Sequence, residues 1–353
     1  MARIALIVAF MAALGGAVEA AYDPLDAAAK GSELAQRRLI TSLARAGEQS
    51  VVAVGQRGHV LRSADGGKTW VQGNVPVSSD LTAVQFVDGL IGHAVGHDGV
   101  VLRTEDGGAT WTRVLEGRAA NAVILSYMQS KADRTGSDDD RRLLVEAKRS
   151  AELGPDKPFL DLWFDNANEG FVVGAYGLML RTTDGGKSWQ PWLDRTENPK
   201  LLNLYAIRPA EGGLYVAGEA GLLMKLDVAS QRFKALPSDY RGSYFGVLGT
   251  PNGVLAFGMR GTVVISRDEG KTWQAVSTGL VASVTAGDVD SGGRVVLVDQ
   301  SGGVALSTDG GNRFARVDVK SPLPMAAVAF TPEGVVVGGA RGLRAIALAR
   351  DNQ

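Results

Sequence analysis

The stretch Ser63-Ala64-Asp65-Gly66-Gly67-Lys68-Thr69-Trp70 decides the fold of this chain, because close copies of it recur along the sequence. The copies occupy residues 104–111 (TEDGGATW), 182–189 (TTDGGKSW), 266–273 (SRDEGKTW) and 307–314 (STDGGNRF). The usual interval is about 40 residues, and several short strand-like runs fall within each unit, which is typical of a β-propeller. We therefore predict an all-β fold.

The repeated stretch resembles the Asp-box (BNR) repeat, and each of its positions has a mechanical reason. The aspartate can accept hydrogen bonds from backbone N–H groups of its own turn, and the Ser or Thr hydroxyl can do the same more weakly. Gly67, Gly108 and Gly186 supply a positive φ. The closing aromatic residue enters the next strand as a large apolar anchor. We therefore predict that the box aspartates are structural, and neither catalytic nor metal-binding.

A second repeated phrase lies upstream of each box. A β-branched run is followed by Gly-x-x-Gly and another apolar run, which predicts a β-hairpin. The copies lie at 54–58, 95–99, 173–177, 217–221 and 257–261, with degenerate copies at 298–302 and 338–342. These seven hairpins predict a seven-bladed β-propeller. Each unit begins with an inner strand, and that of the sixth unit is expected at 281–286.

The seventh unit is expected to lack its outer strand, because the sequence stops at Gln353 before a seventh box would end. Propellers commonly fill such a gap with chain from the other terminus. Residues 22–30 are the available segment, although Ala27-Ala28-Ala29 is a poor strand former. We therefore expect residues 22–30 to complete the seventh blade.

Composition limits the possible functions. The 353 residues carry a formal net charge of −1, so no overall electrostatic field favours a nucleic-acid partner. The 45% hydrophobic content suffices for a large core. The sequence contains no cysteine, which excludes disulfides, thiolate catalysis, cysteine metal sites and a cysteine-linked lipid anchor from these residues.

Residues 1–20 have the pattern of a signal peptide. Arg3 precedes the apolar run 4–14, and Val18-Glu19-Ala20 suits a signal-peptidase site. The apolar run is too short to span a bilayer comfortably, and a retained membrane anchor is the alternative. We expect an exported, periplasmic protein that does not itself span the membrane, with a single propeller domain over 21–353.

One unit is longer than the others, and we predict a helical insertion at 117–157, between blades 2 and 3. Ser137 has the character of an N-cap, followed by three aspartates in the first turn, where carboxylates favour the helix dipole. Leu143 and Leu144 belong to an apolar stripe, and Gly154-Pro155 ends the helix. The stripe either packs on the blade beneath it or contacts a partner.

Alternate turns of a propeller blade fall on opposite faces. The Gly-x-x-Gly hairpins and the blade-to-blade connections share one face, and the Asp boxes occupy the other. Variable loop residues on a rigid frame are where binding usually occurs. The candidate partner-binding residues on the hairpin face are Arg57, Asp98, Tyr176, Glu219, Arg260 and Arg341.

The boxes, together with Val-Gly-x-x-Gly followed by Leu-Arg-Ser/Thr, resemble the photosystem II stability/assembly factor family over residues 39–350. The resemblance implies an exported, non-enzymatic accessory protein that holds part of a membrane protein complex on an arginine-bearing face. The matching arginines here are Arg57, Arg260 and Arg341. The helical insertion departs from the family, and a bacterial relative is the expected identity.

Two other functions remain open. A small ligand or glycan could bind in the mouth of the central channel. Asp boxes also occur in sialidases, but Ile207-Arg208-Pro209 has the wrong order and place for their Arg-Ile-Pro motif, so a glycoside hydrolase ranks third. We expect no catalytic residues, cofactor or metal, because the histidines lack the usual zinc spacing. They are His59, His93 and His97.

Overall fold

A computed structural model describes residues 22–348 of the chain. Within this range the strands form seven antiparallel sheets, six of four strands and one of three. The predicted signal peptide at 1–20 lies outside the described residues. Among the residues described, no helix is long and apolar enough to cross a membrane.

The sheets are the seven predicted blades, numbered here along the chain. Blade 1 contains β1 (Ile40–Arg45), β2 (Val51–Gly55), β3 (Val60–Ser63) and β4 (Val71–Gln72). Blade 2 contains β5 (Leu81–Phe86), β6 (Gly92–Gly96), β7 (Val101–Thr104) and β8 (Thr112–Leu115). Blade 3 contains β9 (Phe159–Phe164), β10 (Gly170–Gly174), β11 (Met179–Thr182) and β12 (Gln190–Pro191).

The remaining blades follow the same order. Blade 4 contains β13 (Leu204–Ala210), β14 (Gly213–Gly218), β15 (Leu223–Asp227) and β16 (Arg232–Ala235). Blade 5 contains β17 (Tyr244–Thr250), β18 (Gly253–Gly258), β19 (Val263–Ser266) and β20 (Gln274–Ala275). Blade 6 contains β21 (Val284–Val289), β22 (Val295–Asp299), β23 (Val304–Ser307) and β24 (Ala315–Val317). Blade 7 contains β25 (Met325–Thr331), β26 (Gly334–Gly339) and β27 (Gly342–Ala347).

The first strand of each blade belongs to a closed inner ring. Each inner strand contacts those of the neighbouring blades, and β25 contacts β1. The second strand of a blade, such as β2 with the sequence VVAVG, is buried along its whole length because both of its faces are covered by neighbouring blades. The predicted seven-bladed propeller is confirmed, although the inner strand of blade 6 begins at Val284, three residues later than expected.

The predicted helical insertion lies between blades 2 and 3 and contains α1 (Gly117–Thr135) and α2 (Asp138–Leu153). The Glu116 carboxylate caps α1, and the Ser137 hydroxyl caps α2 by accepting a hydrogen bond from the backbone N–H of Asp140. The buried apolar side chains of both helices share one core cluster with β8 and blade 3. The apolar stripe of the insertion therefore packs on the propeller.

The expectation that residues 22–30 complete blade 7 is wrong. The Ala29 N–H donates to Val75 O at 3.0 Å, and the Ser78 N–H donates to Pro24 O at 2.8 Å. Leu25 is buried in the cluster formed by blades 1 and 2. This apolar anchor, on a segment with poor strand propensity, holds residues 22–30 over the connection from blade 1 to blade 2. Within residues 22–348, blade 7 keeps three strands.

Candidate partner-binding face

The hairpin turns between the second and third strands, together with the blade-to-blade connections, define a surface that we call the tip face. The insertion belongs to this face, because α1 contacts the turn His97–Gly99. A Cβ built on Gly99 would lie 2.6 Å from the Cα of Gly117, so only glycine allows this approach.

In five blades the turn is a single 3₁₀ turn whose central residue has a left-handed backbone conformation. This conformation is uncommon for residues other than glycine. The five central residues have φ between 53° and 57°, and they are Arg57, Asp98, Tyr176, Ala220 and Arg260. The side chains of Arg57, Tyr176 and Arg260 are exposed, and Asp98 is half-buried.

Polar residues of the following connection hold several of these turns. The backbone N–H of Arg57 donates to the Asp80 carboxylate at 2.7 Å. The backbone N–H of Tyr176 donates to the Asn203 side-chain oxygen at 2.8 Å in the same way. Asp80 and Asn203 each directly precede an inner strand of the next blade. The candidate side chains are thus presented by turns that are fixed to neighbouring blades.

Two candidates lie in different local settings. Glu219 is the first residue of its turn, and its carboxylate accepts a hydrogen bond from the backbone N–H of Asn203 at 3.2 Å. Arg341 lies in a tighter turn, because Gly339 and Gly342 pair directly across the hairpin. Two residues separate β26 from β27, whereas four separate β2 from β3, so the shared Gly-x-x-Gly pattern conceals a shorter hairpin. Arg341 is nevertheless exposed.

Four arginines surround the junction of blade 7 and blade 1, and we call them the arginine cluster: Arg37, Arg38, Arg57 and Arg341. All four are exposed. A Cβ built on Gly342 would lie 2.5 Å from the Cα of Arg37, so the Arg341 turn lies against the segment that leads into β1. The Gln56 N–H donates to Leu39 O at 3.2 Å, which joins the Arg57 turn to the same segment before β1.

The positive charges of the arginine cluster act on a neighbouring histidine and are not paired with a carboxylate. Burial lowers the pKa of His59, and the nearby positive charges of Arg57 and Arg38 lower that pKa further. Within residues 22–348, no arginine of the cluster forms an ion pair with a carboxylate. The cluster is therefore available to an anionic group from outside.

The remaining candidates are spread around the tip face. Tyr176 is 63% exposed, and the ammonium of Lys157, at the end of the insertion, lies 5.2 Å from the centre of its ring. Arg260 is on blade 5, away from the arginine cluster. The structure thus brings Arg57 and Arg341 together and leaves Glu219 and Arg260 on other blades.

Near the tip face, the closed ring of inner strands carries seven equivalent residues, which we call the mouth ring. Each is the second residue of an inner strand, where the pairing register skips one position, as in a β-bulge. In every blade the preceding residue is buried and the bulged residue is partly exposed. The seven are Thr41, Thr82, Leu160, Tyr205, Phe245, Thr285 and Ala326.

The opposite face of the propeller, the box face, carries the Asp boxes. Asp184 accepts hydrogen bonds from the Ser188 hydroxyl at 2.6 Å and from the Ser188 N–H at 2.9 Å. These bonds lower the pKa of Asp184 to about 2. At the same end of the channel Arg45 reaches from blade 1 to blade 6, where it pairs with Asp288 at 3.4 Å. The box aspartates are bonded within their own turns, as predicted.

The insertion is fixed to blade 3 by a buried polar cluster. The ammonium of Lys131 pairs with Asp140 at 3.1 Å and with Asp194, which lies between blades 3 and 4. The Tyr127 hydroxyl donates to the Asp194 carboxylate at 3.1 Å. These bonds set the position of α1 over the edge of the tip face.

The histidines have no common site. His59 and His93 are buried, whereas His97 is exposed in its turn. His93 stacks on Phe164 with ring centres 3.6 Å apart, and burial lowers its pKa to about 3. Among the residues described, no three histidine or acidic side chains are grouped so that they could hold a metal ion.

Sequence reasoning did not find Arg37, Arg38 or the mouth ring. Arg37 and Arg38 lie outside the repeats, directly before the first inner strand, so the repeat alignment gave no reason to examine them. The mouth ring could have been found by aligning the seven inner strands, because its members occupy one equivalent position.

Seven antiparallel blades, with box turns on one face and exposed arginines on the other, define an Asp-box β-propeller. The chain belongs to the family described as Photosynthesis system II assembly factor YCF48, whose family model matches residues 30–120 and 143–342. The interval between the two matched ranges falls within α1 and the start of α2. The unmatched interval covers most of α1, whereas most of α2 is inside the family match.

Two curated relatives are similar in sequence. The Photosystem II assembly lipoprotein Ycf48 of Synechococcus sp. (strain CC9902) is 28% identical over 191 residues, which are 52% of this chain and 56% of the relative. The protein of the same name from Trichormus variabilis (strain ATCC 29413 / PCC 7937) is 32% identical over 80 residues, 22% of each chain. The chain thus spans about half the length of the first relative and less of the second.

Solved structures share the fold. YCF48 bound to D1 peptide has a TM-score of 0.63 at 17% identity, covering 91% of this chain and 96% of that chain. YCF48 from Cyanidioschyzon merolae has a TM-score of 0.62 at 16% identity, covering 87% of this chain and 95% of that chain. The WD40 β-propeller domain of Doa1 has a TM-score of 0.61 at 10% identity, with 91% and 95% covered. At these identities the likeness concerns the fold alone.

Proposed function

We propose that this chain is an exported, non-enzymatic assembly factor that binds an extracytoplasmic segment of an integral membrane protein through its tip face. The observation that carries the proposal is the arginine cluster. Four exposed arginines lie on segments that meet at one junction, and among the residues described none of them forms an ion pair with a carboxylate. The planar guanidinium fork pairs with carboxylates in two parallel hydrogen bonds, so the cluster suits an acidic protein segment.

Family membership supports the same proposal. The family is one of photosystem II assembly factors, and the similarly folded YCF48 has been solved with D1 peptide bound. The signal-like pattern at 1–20 supports export to the periplasm. The candidate residues Asp98, Tyr176 and Glu219 would add polar and aromatic contacts around the tip face, beside the charged anchor of the arginine cluster.

Capture from detergent-solubilised membranes tests the proposal. The double variant Arg57→Glu/Arg341→Glu should capture its membrane partner at least about tenfold more weakly, which corresponds to about 1.4 kcal/mol. Folding should be intact, because both side chains are exposed. Arg260→Glu is measured separately, since this residue lies on another blade. Replacing residues 117–157 by a short flexible linker should weaken capture independently.

Arg232 and Arg313 supply the matched control. Both are exposed, and they lie near box turns on the box face. The variant Arg232→Glu/Arg313→Glu changes net charge by the same amount and should capture as the wild type does. A cluster variant with normal circular dichroism melting and undiminished capture would contradict the proposal.

A further inference from the structure

We infer that the mouth ring contains the specificity pocket of the tip face, and that Leu160, Tyr205 and Phe245 seat one aromatic or branched aliphatic side chain of an acidic peptide. We call these three residues the apolar arc. The inference deepens the proposed function and rests on it, because the acidic part of the same peptide would pair with the arginine cluster.

The mouth ring is chemically divided. Its three threonines each donate a hydrogen bond to a backbone oxygen. The Thr41 hydroxyl donates to Leu81 O and the Thr82 hydroxyl donates to Phe159 O at 2.7 Å. The Thr285 hydroxyl donates to Met325 O at 2.8 Å. Each of these bonds joins a blade to the next inner strand. The structure thus explains why threonine recurs at this position in blades 1, 2 and 6.

Among the described residues, the side chains of the apolar arc make no such hydrogen bond to the next inner strand. Its residues occupy three consecutive blades, 3 to 5, and all are partly exposed where their inner strands open on the tip face. The rings of Tyr205 and Phe245 meet edge to face with centres 5.6 Å apart. Aromatic pairs of this kind supply a large apolar contact area with a fixed geometry.

Opposite the apolar arc, the mouth ring carries small side chains. Ala326 of blade 7 and Thr41 of blade 1 are small, and these two blades carry the arginine cluster above them. One side of the ring is therefore apolar, and the other side carries small residues on the two blades that present Arg57 and Arg341. This division matches a peptide in which a large apolar residue is flanked by carboxylates.

At the box-face end of the inner strands, Arg45 reaches past blade 7 to blade 6. Its guanidinium donates to the backbone oxygen of Val289 at 2.7 Å, besides pairing with Asp288. The pocket is suited to one anchoring side chain, as in interfaces where a buried aromatic residue contributes most of the affinity.

Two synthetic peptides test this inference by fluorescence anisotropy. Both are short, fluorescein-labelled and acidic, with either Phe or Ala at the centre. Wild-type protein should bind the Phe peptide at least about tenfold more tightly than the Ala peptide, in keeping with the energy of a good aromatic anchor. The variant Tyr205→Thr/Phe245→Thr should lose this preference and bind both peptides equally.

The substitution to threonine is chosen because blades 1, 2 and 6 fold with threonine at this position. Val281→Thr is the matched control, since Val281 is 81% exposed in a connection beside the Arg260 turn, outside the mouth ring. It should leave the preference for Phe unchanged. A benzophenone side chain at the centre of the peptide should crosslink to the apolar arc, as read by mass spectrometry.

Different results would refute the proposed function and the inference about the mouth ring. The arginine-cluster variant should weaken both peptides by the same factor, and an absence of that effect would refute the proposed function. If that variant weakens both peptides while the threonine variant keeps the preference for Phe, the inference about the mouth ring is overturned. Wild-type protein without any preference for Phe would overturn it as well. So would competition by a neutral oligosaccharide for the mouth, which would identify a glycan pocket.

Discussion

At the residue scale, four of the five box aspartates use both carboxylate oxygens within their own turns: Asp65, Asp106, Asp184 and Asp268. In the fifth box Arg313 replaces the Thr or Ser, and the turn bonds of Asp309 all go to one oxygen, Oδ1. In the second box, Asp106 Oδ1 accepts from the Thr110 N–H and from the Thr104 hydroxyl, both at 2.9 Å. Asp106 Oδ2 accepts from the Thr110 hydroxyl at 2.6 Å. The ring of Trp111 then closes the box, with its N–H donating to Gly108 O at 3.1 Å. The polar bonds shape the turn, and the ring fills the core beneath it.

Three substitutions should separate these contributions. Trp111→Ala should lower the free energy of unfolding by about 3–5 kcal/mol, because the ring is only 4% exposed and its loss leaves a cavity. Asp106→Ala should lower it by about 1–2 kcal/mol through the lost turn bonds. Asp106→Asn keeps one acceptor oxygen and should cost less than Asp106→Ala. Urea unfolding measures all three.

One result would contradict a purely structural role for Asp106. If Asp106→Ala left urea unfolding unchanged but abolished capture of the membrane partner, the box aspartate would have a role beyond its turn. That role would have to be exercised from the box face, far from the arginine cluster.

At the element scale, the insertion is the part of the chain with the least regular relation to the repeat. Its two helices were predictable from sequence, because Ser137, the aspartates after it and Gly154 are local signals. Its attachment was not predictable, because Asp194 lies on the connection after blade 3 and meets Lys131 only in the folded chain. Local signals specify an element, whereas its partners depend on the tertiary fold.

Asp194→Ala should loosen the insertion. Removing this carboxylate deprives Lys131 and Tyr127 of a buried partner, which should lower the free energy of unfolding by about 1–3 kcal/mol. Hydrogen exchange in α1 should become faster, while exchange in the inner strands is unchanged.

Asp138→Ala is the matched control. Its pair with Arg141 lies at the surface, where the Asp138 side chain is 99% exposed, so its loss should have little effect. If α1 exchanged at wild-type rates in the Asp194 variant, the polar cluster would not be what holds the insertion.

Two errors of interpretation also belong to the element scale. The apolar residue Val281 extended the strand pattern of blade 6, yet it is 81% exposed in the preceding connection. The Gly-x-x-Gly pattern of blade 7 concealed a shorter hairpin, in which Gly339 pairs with Gly342. In both cases the sequence pattern persists where the backbone geometry has changed.

At the scale of the whole molecule, the repeat was sufficient to predict a seven-bladed ring. It could not predict contacts made by segments outside the repeat. Residues 22–30 cover blades 1 and 2, and Arg37 and Arg38 enter the candidate site from the connection into blade 1. Such segments have no equivalent elsewhere in the chain with which they could be aligned.

Deleting residues 22–32 should therefore destabilise blades 1 and 2. The deletion removes Leu25 from a buried cluster, with an expected loss of about 2–5 kcal/mol. Hydrogen exchange should increase in β4 and β8 and stay unchanged in β27. The single substitution Leu25→Ala should reproduce most of the effect. Increased exchange confined to β27 would instead indicate that this segment protects blade 7.

The position of the arginine cluster has a consequence for mechanical integrity. Blades 1 to 7 follow one another along the chain, but within residues 22–348 no direct peptide connection joins blade 7 back to blade 1. Arg341 and Arg57 stand on opposite sides of this gap. A ligand that bridges them supplies a cross-link that the backbone does not, and by thermodynamic linkage it stabilises the closed ring relative to the opened one. Occupancy by such a ligand would thus stabilise the propeller against opening between blades 7 and 1.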